Sequence, residues 1–346
     1  MARRRAFIKT AGTAATASLA GCLGGGNGNE DGYTLTSASI LPEGHPLDEA
    51  DAVFRETVTN RTDGEVQWDH FPAGQLSGDP SEYVNLIQEG SADYANLPTA
   101  YVEADSPLST AADLPGTYTE VDVGNYAAWH YGNDFLQEQE WDDLGIEIVG
   151  ASKTGPYQLI TAGTQVTEME DFDGLTIRSS GTVAIAVDLL GGASTTMAAD
   201  EVYDALQRGT IDGTVNGLYT ISSYDWDQVA DYATLNVNLG SGGTFLGIDQ
   251  ETYDGFSTDI QNAFGEARAE ALAASTENIS SLDNEVVESG GIEFYEIDSS
   301  EIERWNSQIQ PAIDEWIEGR EDKGHAGQEA FDAWKAAIEK AESELD

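Results

Sequence analysis

Positive charge is what this chain has least of. Its 346 residues hold 15 Lys and Arg against 63 Asp and Glu, a formal net charge of −48. Nucleic acid is thereby excluded as a partner, because its affinity comes from Lys and Arg on phosphates. Cysteine is almost missing: Cys22 stands alone, so no intrachain disulfide forms. The histidines, His45, His70, His130 and His325, are scattered. There is no HExxH, no GxSxG, no phosphate-binding P-loop and no cysteine nucleophile, so neither an enzyme nor a bound cofactor is expected. Long apolar runs are also absent. The weakly apolar stretch Ala11–Ala20 is too short to cross a bilayer, which takes roughly 20 apolar residues.

What remains is a foldable, strongly acidic chain. Hydrophobic residues make up 40%, enough for a core. The acids do not form one tail; they recur as "DEAD" (Asp48–Asp51), "EMEDFD" (Glu168–Asp173) and "DEWIEGRED" (Asp314–Asp322). Such a chain repels itself in dilute buffer. At about 1 M salt the Debye length is about 3 Å and most of that repulsion is screened. The composition therefore reads as adaptation to a salty medium.

The first residues read as an address. "RRAFIK" (Arg4–Lys9) has a twin-arginine pattern, and the short apolar run after it ends in Leu19-Ala20-Gly21-Cys22, the form of a lipobox. Residues 1–22 are expected to be an export signal, with Cys22 carrying lipid and anchoring the chain to the outer face of the cytoplasmic membrane. "LGGGNGNED" is expected to be a flexible tether over 23–32. Two sequons, at Asn60 and Asn278, are open to glycosylation on a surface protein.

Beyond Tyr33, strands and helices alternate. Strands are predicted at Tyr33–Ile40, Gly64–Pro72 and "ADYANL", with helices between, and the pattern restarts with strands at Gly145–Ser152, Tyr157–Gly163 and Gly174–Ser180. This is an α/β arrangement. A helix is predicted from about Thr258 to Ser280, a strand at Gly290–Asp298, and acidic amphipathic helices over 300–346. One sentence is written twice. "EYVNLIQEGSAD" (Glu82–Asp93) and "EVYDALQRGTID" (Glu201–Asp212) share Glu, Gln, Gly and Asp at equal offsets, as Glu82/Glu201, Gln88/Gln207, Gly90/Gly209 and Asp93/Asp212. Each copy is predicted to be a helix–Gly–strand corner, one in each of two similar lobes with a cleft between them.

"FPAGQLSGD", "EYVNLIQEGSAD", "GLTIRSS" and "MAADEVYDALQRGTIDGTVN", in this order and spacing, resemble the solute receptors of TRAP transporters, the DctP type. The resemblance covers Tyr33–Asp346. It implies a periplasmic-binding-protein-like two-lobed fold, with a ligand cleft, a long interlobe helix and C-terminal helices. The expected division is 33–153 with about 242–281 as lobe 1, 154–241 with about 282–299 as lobe 2, and 300–346 packing on both. It also implies capture of a small organic acid and its delivery to a sodium-coupled membrane permease of small and large subunits. A receptor serving a sensor kinase, and a metal-assisted oxoacid receptor, stay open beside it.

Arg178 matches the arginine of the family's "IR" and is expected to pair with the ligand carboxylate, since a guanidinium offers a planar fork of donors that stays charged. Asn216 matches the family asparagine, and its amide can both donate and accept. Many members carry a second arginine in the preceding strand; here "TGPYQLI" puts Tyr157 and Gln158 there, and Lys153 is near but not aligned. A monocarboxylate, or an acid with polar groups read by Gln158 and Asn216, therefore fits better than a compact dianion. Tyr157, Tyr219 and Trp226 are candidate cleft walls, because amphipathic aromatics suit partly wet surfaces. Glu201, Tyr203 and Gln207 are read as framework.

Overall fold

A computed structural model describes residues 32–179, 181–197 and 199–345. The expected export signal, Cys22 and nearly all of the expected tether lie outside the described residues.

The described chain forms two sheets, each with its own core. The first holds β1 (Tyr33–Ala38), β2 (Val66–Phe71), β3 (Tyr94–Pro98), β4 (Ile146–Pro156) and β10 (Ser241–Asp249), in the order β2-β1-β3-β10-β4. The second holds β5 (Gln158–Thr161), β6 (Thr176–Arg178), β7 (Ala193–Thr195), β8 (Gly213–Asn216), β9 (Tyr232–Thr234) and β11 (Glu293–Tyr295), in the order β11-β9-β5-β8-β6-β7. Both sheets are mixed: β1, β2 and β3 are parallel, whereas β10 runs antiparallel between β3 and β4. In the second sheet β6, β7 and β8 are parallel and β5 opposes β8. This is the two-lobed α/β fold. Thr154–Pro156, expected in the second lobe, instead continue β4 in the first sheet.

The first long helix, Pro46–Arg61, shows why such segments fold locally. His45 caps it, its Nδ1 accepting from the Leu47 N–H at 3.2 Å, Pro46 opens it, and Asp48 and Glu49 lie where the helix dipole favours anions. Phe54 and Val58 on its inner face join Leu35, Val66 and Phe264 in the core. Both sequon asparagines lie in helices, and Asn278 donates to Glu49 at 2.6 Å.

The repeated sentence has a structural meaning. Gly90 and Gly209 follow their helices with φ of +70° and +63°, a left-handed turn that costs glycine least. Asp93 and Asp212 then each accept from a threonine N–H one strand away: Asp93 from Thr36 in β1, Asp212 from Thr176 in β6, both at 2.7 Å. Both aspartate N–H groups return a bond to the same threonine's carbonyl. The two copies are equivalent corners of the two lobes.

Three chain crossings and a further helix join the lobes. Tyr157 alone separates β4 from β5, and the segment from β9 to β10 crosses back. The helix Thr258–Ser289 packs Ile260, Phe264 and Ala267 into the first lobe and Val286 into the second. It runs nine residues past its expected end, stopping at Gly290 with φ of +66°. The helix Ser299–Glu321 also spans both: Trp305 and Ile309 join the core of the second lobe, while Ile313, Trp316 and Ile317 join that of the first. Among the described residues no helix is long and apolar enough to cross a membrane.

Candidate functional site

The crossings frame a cleft of about 740 Å³. Its first-lobe wall includes His45, Leu47, Pro98, Tyr101 and Asp113; its second-lobe wall includes Tyr157, Tyr219 and the start of the helix Gly181–Leu189. The helix Ser299–Glu321 adds Trp316 and Arg320. His45 and Tyr219 meet across it edge to face, ring centroids 6.1 Å apart. Burial holds His45 down to about 4, so it is neutral at ordinary pH.

Tyr157 is held by its backbone at the crossing. Its N–H donates to Gly240 at 2.8 Å, and its carbonyl accepts from Leu239 at 3.2 Å. The phenol lies against Gly242, where a Cβ would stand 2.3 Å from the hydroxyl oxygen, so only glycine leaves room for this ring. Burial pushes the phenol up to about 12.

Arg178 ends β6, half-buried beside the cleft wall rather than in it. Its Nε donates to the Met197 carbonyl at 3.0 Å. Burial lowers its pKa, and the hydroxyls of Tyr157, Tyr224 and Tyr101 act in the opposite sense; two of these three line the cleft. The contrast with the other cations is sharp. Arg55, Arg61, Lys153, Arg208, Arg304, Arg320, Lys335 and Lys340 each hold a carboxylate within 4.0 Å. Arg268 stacks over Trp129. Among the described residues Arg178, Arg268 and Lys323 have no carboxylate partner in so acidic a chain, and of these Arg268 is taken up by its aromatic ring. A half-buried guanidinium with free donors, beside the N-terminal end of a helix, is suited to an organic anion.

The other expected site residues divide. Tyr219 lines the cleft with Tyr157. Asn216 is buried at the end of β8, opposite Gln158, and its Oδ1 accepts from the Gly217 N–H at 2.9 Å. Gln158 is turned inward: its Nε2 donates to Val237 at 2.8 Å and its Oε1 accepts from Thr234 at 2.9 Å. Trp226 is fully buried in the second-lobe core, stacked on Tyr224 with centroids 5.5 Å apart. These two belong to the interior: Gln158, which opens β5 after Tyr157, bonds into the second lobe, and Trp226 packs in the same core as Leu218 and Ile221 of the neighbouring short helical segment.

Lys153, set aside for its position, is buried with its Nζ 2.5 Å from Asp113 and 2.9 Å from the Ala112 carbonyl. Its charge is thereby neutralised, and a second free cation at this end of the cleft is lost. His45, Tyr101, Asp113, Trp316 and Arg320 also reach the cleft, and the sequence did not single them out for it.

Residues 37–319 match the family described as bacterial extracellular solute-binding protein, family 7, known as DctP. The chain belongs to this family. Among relatives of this DctP receptor, the C4-dicarboxylate-binding periplasmic protein DctP of Rhodobacter capsulatus is 27% identical over 304 residues, covering 84% of this chain and 87% of its own. A TRAP solute-binding protein of Rhodoferax ferrireducens, solved with copurified benzoate, superposes with a TM-score of 0.76 at 18% identity, covering 91% of this chain and 100% of its own. One from Bordetella bronchiseptica with bound mandelate gives 0.73 at 23% identity, covering 91% and 100%. The family and these neighbours are solute-binding proteins, not enzymes. Among the described residues no three or more His, Cys, Asp or Glu gather to hold a metal.

Proposed function

We propose that this chain is the extracytoplasmic receptor of a TRAP transporter. It captures a small organic acid by its carboxylate at Arg178, with Asn216 beside it, and holds an apolar or aromatic body against Tyr157, Tyr219 and Trp316. The loaded receptor delivers the acid to a sodium-coupled permease of small and large subunits. The export signal over 1–22 takes it across the membrane by the twin-arginine route, and lipid on Cys22 keeps it there, in a salt-rich setting.

One observation carries the ligand assignment: among the described residues of a chain with 63 Asp and Glu, half-buried Arg178 has no acidic partner. The aromatic cleft wall supports an acid with a ring or apolar body. Receptors of the same fold hold benzoate and mandelate, and a curated relative is named for C4-dicarboxylates.

A thermal-shift screen of organic acids at molar salt tests this reading. A ligand at about a hundredfold excess over its Kd adds about 2.7 kcal/mol. Carboxylates with an apolar body are expected to raise the melting temperature, while neutral sugars and amines do not. A panel in which only neutral or cationic solutes shift it rejects the reading. For the anchor, Cys22→Ser is expected to release the exported protein from the membrane fraction.

A further inference from the structure

Basic side chains also converge at the outer end of the cleft. A side pocket of about 390 Å³ shares Ala100, Tyr101, Glu103, Arg320 and Lys323 with the main cleft and adds His325. Arg320 is committed: its Nη2 lies 2.6 Å from Glu103 and 3.0 Å from the Thr110 hydroxyl, and its Nε donates to the Pro107 carbonyl at 3.0 Å. It fixes the end of the helix Ser299–Glu321 on the first lobe. The chain then turns through Gly324, with φ of +88°, and the Lys323 and His325 N–H groups both donate back to the Arg320 carbonyl. Lys323 and His325 are thus placed on a turn that Arg320 anchors.

A lysine at a helix C-terminus is ordinary, since the dipole favours a cation there. Two further facts set this one apart. Among the described residues neither Lys323 nor His325 has a carboxylate within 4.0 Å, though Glu315 lines the cleft further back on the helix. And Tyr101 lies between the two ends: 44% exposed, a wall of both pockets, and near enough to Arg178 to act on its charge. Tyr101 and the unpaired Lys323 therefore line one continuous space, and unpaired Arg178 lies beside its wall at the other end.

We propose that Lys323 and His325 form a second acid-binding subsite, which takes the distal carboxylate of an elongated diacid. The first carboxylate sits on Arg178 and the apolar or aromatic spacer lies on Tyr101. The ligand class is a diacid with its carboxylates held well apart, in contrast to a compact one gripped by neighbouring cations. This rests on the Arg178 reading above, and the test separates the two.

Calorimetry at fixed molar salt compares phenylacetate with 1,4-phenylenediacetate, and hexanoate with suberate, on wild type, Arg178→Ala and Lys323→Gln. Wild type is expected to prefer each diacid. Lys323→Gln is expected to weaken the diacids about fivefold to tenfold and to leave the monoacids within about twofold. Arg178→Ala weakens all four. If Lys323→Gln leaves diacid affinity unchanged while Arg178→Ala abolishes it, the second subsite is wrong and the Arg178 reading stands. Wild type that binds each monoacid at least as tightly as its diacid also overturns the subsite. If Arg178→Ala changes nothing, both fall.

Discussion

Arg178 donates its Nε–H to the carbonyl of Met197 at 3.0 Å, a main-chain partner that positions the guanidinium without neutralising it. A chain with 63 acids could have supplied a carboxylate there, as it does for most of its described cations. In the function proposed above, a ligand carboxylate takes that role. Four expectations follow from this and from the surroundings of the cleft.

Gly242 and Tyr157 test the packing of the crossing. A Cβ at 242 would stand 2.3 Å from the Tyr157 hydroxyl oxygen and 3.3 Å from the ring carbon that bears it. Gly242→Ala is expected to cost about 1–3 kcal/mol of stability and to weaken ligand binding. In a Tyr157→Phe background the cost should fall by more than half, because the clashing atom is gone. Denaturant unfolding of the four variants measures this; a cost independent of residue 157 would show that the ring is not what glycine accommodates.

Asp283 sets a pH dependence. It lies on the helix Thr258–Ser289 with Oδ1 buried and unpartnered, and burial pushes its pKa up to about 7, opposed by the Tyr219 backbone. The folded state thus holds this proton more tightly than the unfolded state. Stability falls as pH rises from about 4 through 7, and the full cost is present above 7. The shift sets a ceiling of about 4 kcal/mol, and partial exposure reduces it to about 1–3 kcal/mol. Asp283→Asn is expected to stabilise the protein by that amount at pH 8 and by almost nothing near pH 4. A gap between variant and wild type that does not change with pH contradicts the assignment.

The charge of −48 predicts salt dependence. Most described acids face solvent, and exposed pairs such as Arg61–Glu270 at 2.6 Å are too few to offset them. Raising NaCl from about 0.1 M to about 2 M is expected to raise the melting temperature, since repulsion is screened. A melting temperature that falls over this range would reject adaptation to salt.

Much of the fold was legible because it is local. The helix–Gly–strand corners announce themselves in Gly90, Gly209, Asp93 and Asp212, where a left-handed turn and a strand-capping carboxylate demand those residue types. β10 was not read as a strand, because its apolar content is set by neighbours on both sides, β3 and β4, that are distant in sequence. The helical region Val121–Leu144 went unread too; it includes a π-helical stretch at Gly132–Trp141 that breaks the 3.6-residue period. At the candidate site, motif pointed to Arg178, and amphipathic character pointed to Tyr157, which lines the cleft. Gln158 and Trp226 were misread because an aromatic or amide near a cleft looks the same in sequence whether it turns in or out. Here Gln158 bonds Val237 and Thr234, and Trp226 is buried in the second-lobe core. Tyr101 and Lys323 had no signal, since their meeting depends on a helix that returns from the far end of the chain.

The central claim is that Arg178 holds the ligand's carboxylate. Isothermal calorimetry of Arg178→Ala against wild type, at molar salt with the acid that gives the largest thermal shift, tests it most directly. Truncating one partner of a buried charged pair costs about 2–5 kcal/mol. The account predicts an affinity loss of roughly thirtyfold to several thousandfold, with the variant's unliganded melting temperature near that of wild type. Unchanged affinity in a folded variant would contradict it.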